Sequence, residues 1–291
     1  MNDKIFELPV TQKITPAISR RQVEQLPVVV VDHPQVRAAV ALQGAHLLSW
    51  QPTGQAPVLW LSGNTTFVEH VAIRGGIPIC FPWFGPFAEP NHGFARLLPW
   101  ELTSHSEDEH GVQLAFTLRD TAETRKIWPH EFTLIARFKL GKTCHIELEA
   151  HGDYSITSAL HTYFQIGDIS KVAIRGLGDR FIDKVNQGKV TTQPGDLVFS
   201  DRTDRIYTHP QDISVINDPA LQRTIEVHHA HHSDVVSWNP GAELSHTIGD
   251  MTDDGYKTFV CVETARIHQP FVATVQSPAR LSATIYIKPA A

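Results

Sequence analysis

Two short apolar segments each carry one residue type able to move protons. The segment Thr258 to Thr264 (TFVCVET) alternates so that Phe259 and Cys261 share a face, which Glu263 continues. Val260 and Val262 take the opposite face, so both sides are apolar and the strand is expected to be central. A carboxylate there must be paired, open into a pocket, or sit at the strand end in water. In Thr157 to Ile166 (TSALHTYFQI), His161 shares a face with Ala159, Tyr163 and Gln165, with Leu160 and Phe164 opposite. The competing reading for His161 is a hydrogen-bonded core histidine. Projected into one cleft, His161 and Glu263 would form a general acid/base pair able to work near neutral pH.

Other residues supply binding chemistry. The stretch Ala72 to Pro86 (AIRGGIPICFPWFGP) sets Arg74 beside Gly75 and Gly76, and Asn91 to Arg96 (NHGFAR) adds His92 and Arg96. Neither segment has the GxxxxGK phosphate-loop pattern. Two arginines beside glycine-rich backbone can still grip a phosphate or carboxylate bidentately, or else stack on Trp83 or Phe84. Of six tryptophans, one or two are expected at a sugar-stacking surface and the others in the core. The tract His228 to His232 (HHAHH) splits across two strand faces with no cysteine or acid pair to complete a shell, so no metal site is assigned. The alternating charges of Asp201 to Arg205 (DRTDR) read as a solvated loop.

The elements that must position these residues are strands. Period-two or β-branched runs recur from Pro27–Asp32 through Leu281–Ile287, punctuated by turn chemistry such as Gly63-Asn64 and Asp253-Asp254-Gly255. Helical signal is thin; Asp120 to Trp128 could form about two turns before Pro129. More than ten short strands without linker or repeat imply an all-β chain, one large antiparallel β-sandwich domain over residues 1–291. Hydrophobic residues at 42% and charged residues at 19% suit a large core. A net charge of -6 disfavours nucleic acid and anionic membranes. No apolar run approaches the ~20 residues of a membrane span. Cys80, Cys144 and Cys261 are far apart without CxxC, a reduced, cytoplasmic pattern.

The motifs IRGGIP, HGFAR, LHTYF, DRTDRIY and FVCVET, in this order, resemble the aldose 1-epimerase (galactose mutarotase-like) superfamily, and within it the glucose-6-phosphate 1-epimerase branch. That resemblance spans nearly the whole chain. It implies a β-supersandwich that interconverts the α and β anomers of a sugar phosphate; acid-base ring opening needs no cofactor or metal, and a monomer is expected. It further implies His161 as acid, Glu263 as base, Asp204 on sugar hydroxyls, and Arg74 and Arg96 on substrate and phosphate, with His92 at the same site. Gln165 and Asn91 depart from residues common among relatives and bear on hydroxyl contacts. Two other readings remain open: a non-catalytic carbohydrate-binding module, and a mutarotase of unphosphorylated aldoses such as galactose.

Overall fold

The computed structural model describes residues 2–290, and among them strands dominate: 22 strands against three short α-helices. Every strand pairing is antiparallel, in sheets of five, nine and eight strands. The five-stranded sheet follows chain order from Val10–Lys13 to His46–Pro52. Its Val28–Val31 run is buried throughout, each alternate residue feeding a different apolar cluster. That two-sided burial explains why PVVVVD does not alternate with polar residues.

The eight-stranded sheet carries the chemistry. It runs Lys189–Thr192, Arg180–Asp183, Thr203–Tyr207, Asp234–Asn239, Phe259–Ala273, Tyr154–Leu160 and Ile79–Cys80, with Tyr163–Gln165 also paired to Phe259–Ala273. Phe259–Ala273 is central, and at 15 residues it is longer than the run read from sequence. Its even-numbered side chains Val260 and Val262 join Leu160, Phe164 and Val235 in the main core cluster, which extends into the nine-stranded sheet through Leu148, Leu281 and Ile285. The odd-numbered side chains face the other way, between two smaller apolar clusters.

The helix expected at Asp120–Trp128 is Ala122–Ile127, opened by a capping box in which Thr121 and Thr124 satisfy each other's backbone N–H. The Asp201–Arg205 segment departs from the solvated loop expected: Thr203–Tyr207 is a strand paired on both sides. Arg205 lies over the Phe181 ring at 4.3 Å, so its charge does not report exposure of the backbone.

Within the histidine tract, His229 is buried and bonded at both nitrogens, Nδ1 to Thr264 Oγ1 at 2.7 Å and Nε2 to Ser214 Oγ at 2.9 Å. His46 donates from Nε2 to the Gly75 carbonyl at 2.6 Å. Burial lowers His46 to about 4 and His229 to about 3, from an ordinary 6.5. Both rings stay neutral in the folded chain, while the unfolded chain takes up protons below 6.5. Their stabilisation is therefore complete above that pH and is lost as pH falls toward 4 and 3. At about 1.4 kcal/mol per unit, the loss between neutral pH and the folded value is expected to be about 3 kcal/mol for His46 and about 4 kcal/mol for His229. A urea-unfolding series across that range tests this, and flat stability would contradict it.

Candidate active site

His161 and Glu263 meet because the sheet keeps its register across a break. Leu160 pairs with Thr264, and Tyr163 pairs with Cys261, so His161 falls opposite Glu263 although residues 161 and 162 belong to no strand. The backbone N–H of His161 turns aside to the Pro78 carbonyl at 2.9 Å. His161 Nδ1 then lies 3.5 Å from Glu263 Oε1, beyond an ordinary hydrogen bond. Nδ1 of His161 and Oε2 of Glu263 are buried with no hydrogen-bond partner. Glu263 stands mid-strand at 1% exposure, which excludes the strand-end reading.

The same face continues sideways. Asp204 pairs with Trp238, and Trp238 with Cys261, while Val236 pairs with Glu263. Asp204, Trp238, Val236, Glu263 and His161 line a cleft of about 380 Å³, with Cys261 buried outside its lining. Tyr163 stacks on the His161 ring at 4.9 Å, and Trp238 meets it edge-on at 6.3 Å. Of the six tryptophans, Trp238 is the one lining the cleft.

Arg74 enters from the glycine turn. A Cβ on Gly75 would lie 2.4 Å from the Trp60 carbonyl oxygen, and Gly76 has φ +60°, so the turn closes only on glycine. Arg74 donates from Nε to Asp250 Oδ1 at 3.0 Å and from a terminal nitrogen to the Tyr163 hydroxyl at 3.3 Å. His92 is held at φ +64°, an uncommon conformation for a side-chain-bearing residue. Its N–H donates to the Gly85 carbonyl at 3.0 Å, and the Gly85 N–H donates back to Nδ1 at 3.1 Å. Nδ1 therefore accepts, and the ring proton sits on Nε2. Burial, with Arg96, Lys184 and Arg74 nearby, lowers His92 to about 3.

Thus Arg74, His92, His161, Asp204 and Glu263 share one cleft. Arg96 does not line it; its guanidinium donates to the Asn91 carbonyl at 2.7 Å. Of the two departures, Asn91 lines the cleft, whereas Gln165 donates to the Ile166 and Thr258 carbonyls at 3.1 Å. Lys184 and Arg202, absent from the sequence reading of the site, line it as well. Lys184 follows strand Arg180–Asp183, and Arg202 precedes Thr203–Tyr207, so each is carried by a strand end beside Asp204. Their proximity to Asp204 offsets burial, which raises its carboxyl.

Burial holds the His161 imidazole well below its usual range, with His92, Arg96 and Arg74 adding to the effect. It also holds the Glu263 carboxyl well above its usual range, with Asp204 adding and Lys184 opposing. These directions favour the proton on Glu263 and a neutral His161. The ionised alternative, carboxylate and imidazolium, contains the same number of protons.

A facing carboxyl and imidazole, beside an acid, cations and aromatic rings, suits proton transfer on a polyhydroxy ligand. The aldose 1-epimerase family model matches residues 27–286. The chain belongs to the aldose 1-epimerase family. It is an isomerase by that membership. It is 60% identical to a Salmonella typhimurium protein named "Putative glucose-6-phosphate 1-epimerase", over 99% of both chains. An Escherichia coli protein of the same name is 59% identical, again over 99% of both. A crystal structure of a Salmonella typhimurium protein described as a "putative mutarotase" superposes with a TM-score of 0.98, at 59% identity and 99% coverage of each chain. A galactose 1-epimerase structure from Lactobacillus acidophilus, 13% identical, shares the fold at a TM-score of 0.69, covering 94% of this chain and 98% of that one.

Proposed function

We propose that this aldose 1-epimerase acts on hexose 6-phosphates, with glucose 6-phosphate as substrate. The observation that carries the reaction is the His161–Glu263 pair, buried, facing, and unsatisfied at Nδ1 and Oε2. A sugar seated in the cleft supplies what those atoms lack. Hydroxyl donors on the Glu263 carboxylate favour its ionised form, moving the pair's proton to His161 without changing its charge. Glu263 then removes the O1 proton while His161 protonates the ring oxygen, and the C1–O5 bond opens to the aldehyde. Rotation about C1–C2 presents the other carbonyl face. O5 attacks C1 as His161 takes back its proton and Glu263 returns one to O1. Asp204 and neutral His92, with its Nε2–H, hold hydroxyls.

The phosphate reading rests on the cations Arg74, Lys184 and Arg202 along the cleft and on the names of the close relatives. Arg96, outside the cleft lining, would act through its charge near His92. The three cysteines, free and buried, fit a reducing compartment such as the cytoplasm. A main core cluster running from Ala17 to Ile285 supports one domain over 1–291.

Magnetisation-exchange NMR at the C1 signals of glucose 6-phosphate, glucose and galactose tests the reading. Accelerated exchange is expected for the phosphosugar, with His161→Asn slowing it about 10²- to 10⁴-fold. Equal acceleration of free galactose would make the substrate an unphosphorylated aldose. No acceleration for any sugar would leave a carbohydrate-binding protein.

A further inference from the structure

Beside His161 and Glu263, buried and outside the residues that line the cleft, lies a third donor that the sugar chemistry leaves idle. Cys261 lies two residues before Glu263 on the same face of Phe259–Ala273, across from Trp238 and Tyr163. Its thiol is free. One ligand atom each from His161, Cys261 and Glu263 lies within 4.8 Å of the others, and all three residues are buried. Two of the donors, His161 Nδ1 and Glu263 Oε2, have no hydrogen-bond partner.

We propose that these three side chains form an inhibitory zinc site: Zn²⁺ held by His161 Nδ1, Cys261 Sγ and one Glu263 oxygen, its fourth position open to the cleft. One nitrogen, one sulfur and one oxygen donor suit this borderline-soft ion. Zinc–nitrogen and zinc–oxygen bonds near 2.1 Å place tetrahedral neighbours about 3.4 Å apart. The His161–Glu263 separation of 3.5 Å already matches that edge. The Cys261 sulfur, no more than 4.8 Å from the other two donors, has to move inward to make a zinc–sulfur bond near 2.3 Å.

Charge also balances. A thiol, a carboxyl and a neutral imidazole carry no net charge; neither do Zn²⁺, thiolate, carboxylate and imidazole together. The ion enters as two protons leave to solvent, so the buried charge does not change. Nearby, Arg74 opposes the cation but is paired with Asp250 at 3.0 Å, and Asp204 favours it. Bound zinc occupies acid and base at once and excludes the sugar.

Inhibition rests on the proposed catalytic roles of His161 and Glu263; zinc binding does not, so the two fail separately. Untagged protein is titrated with Co²⁺ as a spectroscopic probe and then with Zn²⁺. A thiolate-to-cobalt charge-transfer band at one equivalent, abolished by Zn²⁺, is expected. Cobalt bound without that band, for example at His228 to His232, would overturn the site. In NMR exchange, Zn²⁺ is expected to compete with glucose 6-phosphate. Cys261→Ser, read against its own zinc-free rate, should need at least about tenfold more Zn²⁺ for half inhibition. An unchanged zinc response in that variant would also overturn the proposal. If no sugar is turned over at all, the cobalt band still decides the metal site.

Discussion

Replacing Glu263 with glutamine is expected to slow anomer exchange about 10²- to 10⁴-fold while the chain stays folded. Glutamine keeps the shape of the side chain and removes its ability to accept the O1 proton. Stability gives a second, independent readout. The folded chain raises the Glu263 carboxyl well above its ordinary 4.5, mainly by burial. A raised folded value contributes stability that is fully present below 4.5 and is lost as pH rises through the folded value. Above it, the wild type carries a buried carboxylate whose Oε2 has no partner. Glu263→Gln cannot ionise, so its stability relative to wild type should increase as pH rises from 5 to 8. Denaturant unfolding at those two values checks the sign. A relative loss at the higher pH would mean an ionised, well-paired Glu263 carboxylate, and the proton would have to be placed elsewhere. Activity lost together with a stability gain at high pH is the signature of a catalytic group held at a cost to the fold.

The candidate pair was legible because strand geometry has a period of two. His161 and Glu263 each continued one face of its own strand, and parity alone showed that. Their meeting was not legible, because register depends on partners distant in sequence: Leu160 on Thr264 and Tyr163 on Cys261. Asp204 was hidden for another reason. DRTDR looks solvated as a string, but the strand pairs on both sides and turns Asp204 into the cleft while Arg205 covers Phe181. Lys184 and Arg202 left no local signal at all. Each follows or precedes a short strand whose place in the sheet is set by tertiary pairing. Arg96 shows the converse, since the motif HGFAR pointed to it but its guanidinium donates to the Asn91 carbonyl outside the cleft lining.

That difference sets the second large effect. Lys184→Ala and Arg202→Ala are each expected to raise the KM for glucose 6-phosphate about tenfold or more, with little change in kcat. A hydrogen bond to a charged group contributes about 1.5 to 3 kcal/mol, and the low end applies at an open cleft. The contact is made equally by bound sugar and transition state, so its loss falls on KM. Free glucose, which has no phosphate to lose, should be handled alike by wild type and both variants. Arg96→Ala separates the two ways of placing the phosphate. If Lys184 and Arg202 hold it, Arg96→Ala affects both sugars together, by loosening the segment from Asn91 to Arg96 that positions His92. If Arg96 holds it, that variant alone loses the preference for the phosphosugar. Salt gives an internal check: added salt should raise the wild-type KM for glucose 6-phosphate and do so less in the variants whose cation is the true partner. The cleft exposes Arg202 at its rim and tucks Lys184 partly inside, so the salt dependence should shrink most in Arg202→Ala.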